Sequence, residues 1–151
     1  PQAPAVAFEY SDAYRTRARI HRLASYATLP LFGTQAWLGQ SLYSDATSAK
    51  KQAHLVVAGS IATLFAVNSV TGVWNLIEAR KDPNGRTRRW AHGLMMLAAD
   101  AGFVATAMLA PDDDGGFGDD DGGSRSLHRA VALTSVGLAS ASYLVMLLGN
   151  R

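Results

Sequence analysis

The chain has 151 residues, a length typical of one domain, with 48% hydrophobic residues and a formal net charge of +2. Cysteine is absent, which excludes disulfides, thiolate metal sites and thiol catalysis. The net charge is too small to indicate binding to nucleic acid, and no nucleic-acid partner is predicted. The positions of the charges along the chain are more informative than their sum.

Charged residues are missing from long stretches of the chain. No charge lies within 23–44, 52–77 or 130–150, and 91–110 contains a single acid, Asp100. A helix needs about 20 apolar residues to cross a bilayer core, whereas the helices of a soluble bundle carry charge on their outward faces. The sequence therefore predicts an all-α fold, an integral membrane up-down four-helix bundle in contact with membrane lipid. Its four spans are expected at about 21–43, 54–78, 90–110 and 127–148.

The first half of the chain holds two predicted helices. Residues 1–18 are polar or small and are interpreted as a partly ordered cytoplasmic arm. Helix 1 is expected from about Arg19 to Tyr43, with a kink at Pro30 because proline removes a backbone hydrogen bond. Helix 2 is expected from about Lys51 to Ala79, followed by a turn over 82–85.

The second half holds two more helices around an acidic loop. Helix 3 is expected from about Thr87 to Ala110 and helix 4 from about Ser126 to Leu148, which completes a core over 19–148. Residues 111–125, mostly aspartate and glycine, form the loop between them. Its carboxylates could bind Ca²⁺ or dock a basic redox partner such as a c-type cytochrome; the alternative is a solvated acidic loop.

Basic residues predict the orientation. With four spans, the N-terminal arm, the middle loop and the C-terminus share one side, which holds ten of the fourteen basic residues. The opposite side holds the acidic loop. The positive-inside rule therefore predicts that both termini are cytoplasmic. The expected location of this integral membrane protein is a bacterial inner membrane.

The four histidines each begin a long apolar run, at His21, His54, His92 and His128. Helices 1 and 3 start at one face and helices 2 and 4 at the other, so topology pairs His21 with His92 and His54 with His128. Two imidazoles on opposite faces of an iron porphyrin need such level pairs, and helical bundles build haem sites from facing helices. The alternative is four unrelated polar residues near helix ends. We predict two haem b groups, with His21 and His92 ligating the cytoplasmic-side iron and His54 and His128 the outer one.

Neighbouring residues extend this prediction. A basic side chain stands beside each histidine and is predicted to bind haem propionates; the alternative is ordinary snorkelling to the membrane surface. These residues are Arg22, Lys51, Arg89 and Arg129. Gly39 and Gly72 each follow the histidine of their own helix by eighteen residues, at the level of the other pair, and are predicted to leave space for the macrocycle. The alternative is small-residue packing between helices.

Asp100 is an ionisable residue inside a predicted span. It is expected either to hydrogen-bond a cofactor or carry a proton, or to be a buried acid paired with Asn68 or Asn75. Asn68 follows His54 by fourteen residues and is expected on nearly the same helix face, toward the bundle interior.

Two segments carry a resemblance to a known family. The string WAHGLMMLAADAGF, from residue 90, and HRAVALTSVGL, from residue 128, resemble two consecutive helices of the cytochrome b561-like family. The resemblance covers about 19–148 and implies a four-helix di-haem core that passes electrons across a membrane. It implies the ligand pairs His21 with His92 and His54 with His128. The chain lacks the flanking helices of many members and shows no clear ascorbate-site signature, so the electron donor stays open.

The functional hypothesis is transmembrane electron transfer by a di-haem cytochrome b in a respiratory or other redox chain. We expect an electron carrier more than a stand-alone enzyme, with a redox partner protein or a quinone as partner. Three alternatives remain: a structural or assembly subunit of a larger membrane complex, a single-haem quinone-reactive membrane anchor, and an enzyme, namely a quinol- or metal-reducing oxidoreductase that uses the same haems.

Overall fold

The computed structural model of the chain describes residues 7–110 and 122–149. In these ranges all regular structure is helical, as the sequence predicts, and a short 3-10 turn at Ala79–Lys81 is the only helix that is not an α-helix. The α-helices are α1 (Asp12–Ser25), α2 (Thr28–Ser44), α3 (Ser48–Glu78), α4 (Arg86–Met108) and α5 (Gly122–Leu148).

Predicted helix 1 is two helices in the structure. The chain is helical from Asp12, where the Ser11 side chain caps α1 by accepting the Tyr14 N–H at 3.0 Å, so the arm predicted over 1–18 is helical in its second part. The expected kink lies at Tyr26–Ala27, where the α-helix is interrupted by a turn whose two residues keep right-handed helical φ and ψ. Pro30 has no N–H to donate to the carbonyl four residues earlier, that of Tyr26, which explains why the break falls there.

The boundaries of the other helices follow ordinary capping and turn chemistry. Thr47 caps α3 by accepting the Lys50 N–H at 3.3 Å. In the loop before α4, the Asn84 N–H donates to Asp82 Oδ1 at 2.9 Å. Gly85 follows with φ +64°, a left-handed conformation that favours glycine. These ends lie within four residues of the predicted ones.

Three helices are long and apolar enough to cross a membrane: α3 together with the 3-10 turn, α4, and α5 from Gly123. Their outward faces carry large apolar side chains, such as Val70, Trp74 and Val104, which are 65%, 61% and 62% exposed. A soluble helix would turn such residues inward. By contrast, α2 has 17 residues, fewer than the roughly 20 that span a bilayer core, so predicted helix 1 is not matched by one spanning helix.

The helices pack as two hairpins. In the first hairpin α1 and α2 pack against α3, and in the second hairpin α4 packs against α5. Narrower contacts of α3 with α4 and of α2 with α5 join the hairpins, so the α1–α2 unit is diagonal to α4, and α3 is diagonal to α5. Within the second hairpin the backbones are close, because a Cβ on Gly102 would lie 2.1 Å from Ser135 Oγ.

Buried residues recur at fixed distances after each histidine. The residue seven positions on is buried in all four cases: Thr28, Ile61, Ala99 and Ser135. The residue eleven positions on belongs to the central core in all four cases: Phe32, Phe65, Phe103 and Ala139. Seven and eleven residues are close to two and three turns of an α-helix, so these positions share one face and each histidine begins the buried face of its helix.

Three phenyl rings occupy the centre of the bundle. The ring centroids of Phe32 and Phe65 are 5.7 Å apart, those of Phe65 and Phe103 are 4.9 Å apart, and those of Phe32 and Phe103 are 5.7 Å apart. The rings come from α2, α3 and α4, so they connect the two hairpins by apolar packing.

Candidate functional site

The four histidines form two pairs that bridge the diagonals of the bundle. The imidazole centroids of His21 and His92 are 6.2 Å apart, and those of His54 and His128 are 6.5 Å apart. The rings that topology pairs are therefore neighbours in the structure. Each pair takes one histidine from each hairpin.

Backbone carbonyls orient three of the four rings. The Nδ1 atom of His21 is 3.1 Å from the Asn68 carbonyl oxygen, that of His92 is 3.1 Å from the Ser142 carbonyl oxygen, and that of His128 is 2.8 Å from the Thr106 carbonyl oxygen. A carbonyl can only accept, so Nδ1 carries the proton and donates in each case. In the neutral imidazole Nε2 is then unprotonated, the state in which it can ligate a metal.

Hydroxyl groups support two of these rings. Thr71 Oγ1 lies 3.2 Å from His21 Nδ1, and Ser142 Oγ lies 2.9 Å from His92 Nδ1. Ser142 is fully buried, and its hydroxyl also donates to the His92 carbonyl oxygen at 3.0 Å. The His21–His92 pair is therefore held by side chains as well as by main chain.

His54 is oriented differently. Its Nε2 atom, and not Nδ1, has the polar contact, 3.1 Å from Nε2 of Gln35. Within the described part of the chain, His54 Nδ1 and Gln35 Oε1 are both buried without a hydrogen-bond partner. The nitrogen that the other three rings leave open is thus engaged in this one.

The partners of the rings follow one spacing that the sequence interpretation did not use. Each lies fourteen residues after a histidine: Gln35 after His21, Asn68 after His54, Thr106 after His92 and Ser142 after His128. In the three unbroken helices, α3, α4 and α5, fourteen residues are about four turns, so the partner lies on the same face about 21 Å further along. Within a hairpin the support is reciprocal, because each long helix holds the histidine of the other. Only Asn68 was singled out from the sequence; the repeated spacing from all four histidines could have identified the rest.

Gly39 and Gly72 lie at the level of the other pair, against the imidazole rings themselves. A Cβ on Gly72 would be 3.1 Å from His21 Cε1, and a Cβ on Gly39 would be 3.4 Å from His54 Cε1. Glycine therefore lets the rings approach the neighbouring helix. Whether these positions also leave space for a macrocycle stays a prediction.

The basic residues that were expected to bind propionates have varied surroundings. Arg89 is turned toward the loop before α4, where its guanidinium donates to the carbonyl oxygens of Ala79 at 3.2 Å, Asp82 at 2.7 Å and Asn84. These contacts give Arg89 a structural role in closing the loop and offer no support for propionate binding. Arg129 lies 4.8 Å from the centroid of the Tyr43 ring. Arg22 and Lys51 are exposed near their histidines.

Asp100 does not pair with either asparagine. Ser69 donates a hydrogen bond to Asp100 Oδ2, while Oδ1 is buried and has no partner within the described residues. Asn75 instead accepts from Arg17 at 3.0 Å. The Ser69–Asp100 contact connects α3 and α4, so this acid contributes to the narrow contact between the hairpins.

The segment before α1 is attached to the loop before α4 by side chains. Tyr10 donates to Asp82, and Ser11 donates to Glu78. The Tyr10 hydrogen bond, the Asn84 N–H and the Arg89 guanidinium hold the pKa of Asp82 below its ordinary value. Burial and the hydrogen bond to Asp82 raise the pKa of Tyr10. The sequence interpretation did not anticipate this attachment, which brings together residues more than sixty positions apart.

The described residues contain no cluster of three or more His, Asp or Glu side chains that could hold a metal ion. Each candidate centre therefore offers two protein ligands, too few for a structural zinc site. Metal–imidazole bonds are about 2.0 Å and the ring centre lies about 1.1 Å behind the nitrogen, so two rings on opposite sides of one ion have centroids about 6.3 Å apart. The separations of 6.2 and 6.5 Å agree with that value. The donor set fits an iron porphyrin, whose macrocycle supplies the remaining ligands.

The acidic loop, with its expected Ca²⁺ site and its expected docking of a c-type cytochrome, lies almost entirely outside the described residues. Comparisons with protein-family models, with curated proteins and with solved structures found no match. The resemblance to the cytochrome b561-like family therefore rests on the two helix sequences alone.

Proposed function

We propose that this chain is a four-helix membrane cytochrome b that carries electrons between the two faces of a membrane through two haems. His21 and His92 would ligate the haem nearer the cytoplasm, and His54 and His128 the other. Bound haem would supply a one-electron iron couple at each level. Electron donor and acceptor would be a redox protein or a quinone.

The observation that carries the proposal is the arrangement of the four imidazole rings in two pairs. Three of the four rings donate Nδ1–H to a carbonyl, so Nε2 carries no proton in the neutral imidazole. Both ring separations match the spacing that one shared metal ion requires. Unrelated polar residues near helix ends would have no reason to meet in two pairs, each with one histidine from either hairpin.

The remaining contribution of the protein is to orient the ligands and exclude water. Carbonyls at the fourteen-residue positions fix the rotation of the rings, which is the usual way in which outer contacts tune a metal ligand. The three phenyl rings fill the bundle between the two levels. Fourteen residues of helix separate the levels, about 21 Å, so this apolar layer would lie between the two cofactors.

The proposal includes a fourth crossing by the α1–α2 unit. Neither helix spans a bilayer alone, but the uncharged residues run without interruption from 23 to 44, across the break. Broken helices are tolerated at membrane depth where neighbouring helices cover them. Here α3 packs along both α1 and α2.

The test is reduced-minus-oxidised absorption of the purified protein, together with haem content per chain. We expect b-type bands and two haems per chain. His92→Ala and His128→Ala should each remove one haem and leave the other. Absence of b-type bands, with haem content near zero, would refute the proposal and favour a structural subunit whose assembly survives loss of all four histidines.

A single-haem membrane anchor is the second candidate, and the contact between Gln35 and His54 favours it. That contact engages the nitrogen that would bind iron at the outer pair. A single-haem protein would give one haem per chain, lost in His21→Ala and unaffected in His54→Ala.

A further inference from the structure

The two histidine pairs are not equally prepared to bind a metal. In the His21–His92 pair both rings donate Nδ1–H to a carbonyl, which leaves Nε2 as the unprotonated nitrogen of each neutral imidazole. In the other pair only His128 has this arrangement. His54 has Nε2 against Gln35 and Nδ1 without a partner.

Gln35 engages His54 whichever end of its carboxamide faces the ring. An N–H of the carboxamide would donate to an unprotonated Nε2, and the carboxamide oxygen would accept from a protonated Nε2. In both cases ligation of a metal through Nε2 requires the carboxamide to move away. The contact therefore competes with a metal at this ring.

The origin of the difference lies in predicted helix 1. In α3, α4 and α5 an unbroken helix joins the histidine to its fourteen-residue partner. Between His21 and Gln35 the chain breaks at Tyr26–Ala27. Asn68, Thr106 and Ser142 offer a main-chain carbonyl to the ring they support, whereas Gln35 offers its side chain.

We propose that Gln35 is a positioning residue that occupies the coordinating nitrogen of His54 until a haem displaces it. The outer centre, His54 with His128, is then filled second and binds haem more weakly than the His21–His92 centre. This inference rests on the proposed function. Loss of one outer hydrogen bond to a metal-ligating histidine weakens metal binding by about 10–100-fold, so we expect a difference of that order between the two centres.

Titration of the cofactor-free protein in detergent with ferric haem tests the order of binding. We expect two haem-binding steps of different affinity. His92→Ala should remove the higher-affinity step, and His128→Ala should remove the lower-affinity step. Gln35→Leu removes the competing contact and should tighten the weaker step by up to about tenfold, the equivalent of one hydrogen bond. Gln35→Glu keeps an acceptor against Nε2–H and should weaken the same step.

Thr71→Ala is the matched control, because Thr71 contacts a ligand histidine on the other nitrogen. It removes support from His21 Nδ1 and leaves the Asn68 carbonyl in place, so it should weaken the tighter step by a few-fold, opposite in sign to Gln35→Leu. Equal affinities of the two centres, or weaker outer binding in Gln35→Leu, would overturn the inference while leaving a di-haem protein. No haem uptake at all would instead refute the proposed function.

A measurement on haem-free protein tests the inference about Gln35 separately from the proposed function. In cofactor-free protein with ¹⁵N-labelled histidine, Gln35→Leu should shift the Nε2 resonance of His54 and leave those of His21, His92 and His128 in place. An unchanged His54 resonance would show that the contact with Gln35 does not form.

Discussion

At the scale of single residues, the two glycines beside the rings differ in the space they have. Gly72 would carry a Cβ within 3.1 Å of His21 Cε1, tighter than an ordinary contact, and Gly39 would carry one at 3.4 Å from His54 Cε1. His21 cannot move freely because Asn68 and Thr71 hold its Nδ1. The same substitution should therefore have different effects at the two positions.

Gly72→Ala should lower the free energy of unfolding by about 1 kcal/mol, the low end of the cost of overpacking a core. Gly39→Ala should be neutral or raise it by about 0.5 kcal/mol, because alanine favours a helix over glycine. The measurement is thermal unfolding in detergent, followed by circular dichroism. Equal shifts of the two midpoints would contradict the inference that the His21 ring lies closer to Gly72 than the His54 ring lies to Gly39.

Ser142 gives a second prediction at this scale. Its hydroxyl is fully buried against the carbonyl and Nδ1 of His92. Ser142→Ala should destabilise the protein by about 1–2 kcal/mol, since it removes a buried hydroxyl from a polar contact. Ser60→Ala is the control: its hydroxyl bonds the Val56 carbonyl on an exposed face, and the change should stay within about 0.5 kcal/mol. Similar losses in both variants would argue against a specific role for Ser142.

At the scale of elements, Asp82 connects the segment before α1 to the loop before α4. Its carboxylate accepts from Tyr10 and from the Asn84 N–H, and it lies 3.6 Å from the Arg89 guanidinium. Because the folded-state pKa is lowered, Asp82 stabilises the fold fully above its unfolded pKa of about 3.9. That contribution is lost as the pH falls below this value, through the folded-state pKa.

We therefore expect the thermal midpoint to fall between pH 5 and pH 3 partly because Asp82 becomes protonated. Asp82→Asn should lower the midpoint at pH 7 and reduce its further loss toward pH 3. Tyr10→Phe should move the loss to higher pH, because the largest cause of the lowered pKa is removed. An unchanged pH profile in both variants would show that the attachment does not contribute to stability.

The elements also show what could be predicted from the sequence. Uncharged stretches and turn residues predict the helices from α3 to α5 to within four residues, because apolar length and capping are local properties. Pro30 indicated that predicted helix 1 is kinked. How far the helix is interrupted depends on whether α3 packs against the segments on both sides, which is a tertiary property. The helix from Asp12 was missed because its residues Arg17 and Ser11 have partners in Asn75 and Glu78, far along the chain.

Prediction of the site was limited in the same way. The level pairing of the histidines follows from direction alone, since an up-down bundle fixes which helix ends share a face. The partners of Nδ1 are main-chain carbonyls, which every residue has, so side-chain identity gave no sign of them. One of the two alternatives for Asp100 was pairing with Asn68 or Asn75, whereas Ser69 donates to it, because helix rotation decides between residues as close as Asn68 and Ser69.

At the scale of the whole molecule, the absence of cysteine makes the membrane arrangement easy to test. Lys81→Cys and Ala49→Cys place single thiols at exposed positions near opposite ends of α3. In membrane vesicles of one orientation, an impermeant thiol reagent should label one of them and reach the other only after permeabilisation, with Lys81→Cys on the cytoplasmic side. Equal labelling of both would contradict a crossing by α3.

The residue that orients each histidine lies in the same hairpin as that histidine. Each histidine pair, by contrast, takes one ring from each hairpin. A ligand held between two such rings would be a cross-link between halves that otherwise meet through narrow contacts. Binding to the joined form alone would drive association by mass action. The chain should thus tolerate a cut between Asn84 and Gly85: fragments 1–84 and 85–151, expressed together, should co-purify in proportion to haem supply. If the two fragments co-purify equally well without haem, contacts between the two hairpins are sufficient for their association and haem does not contribute to it.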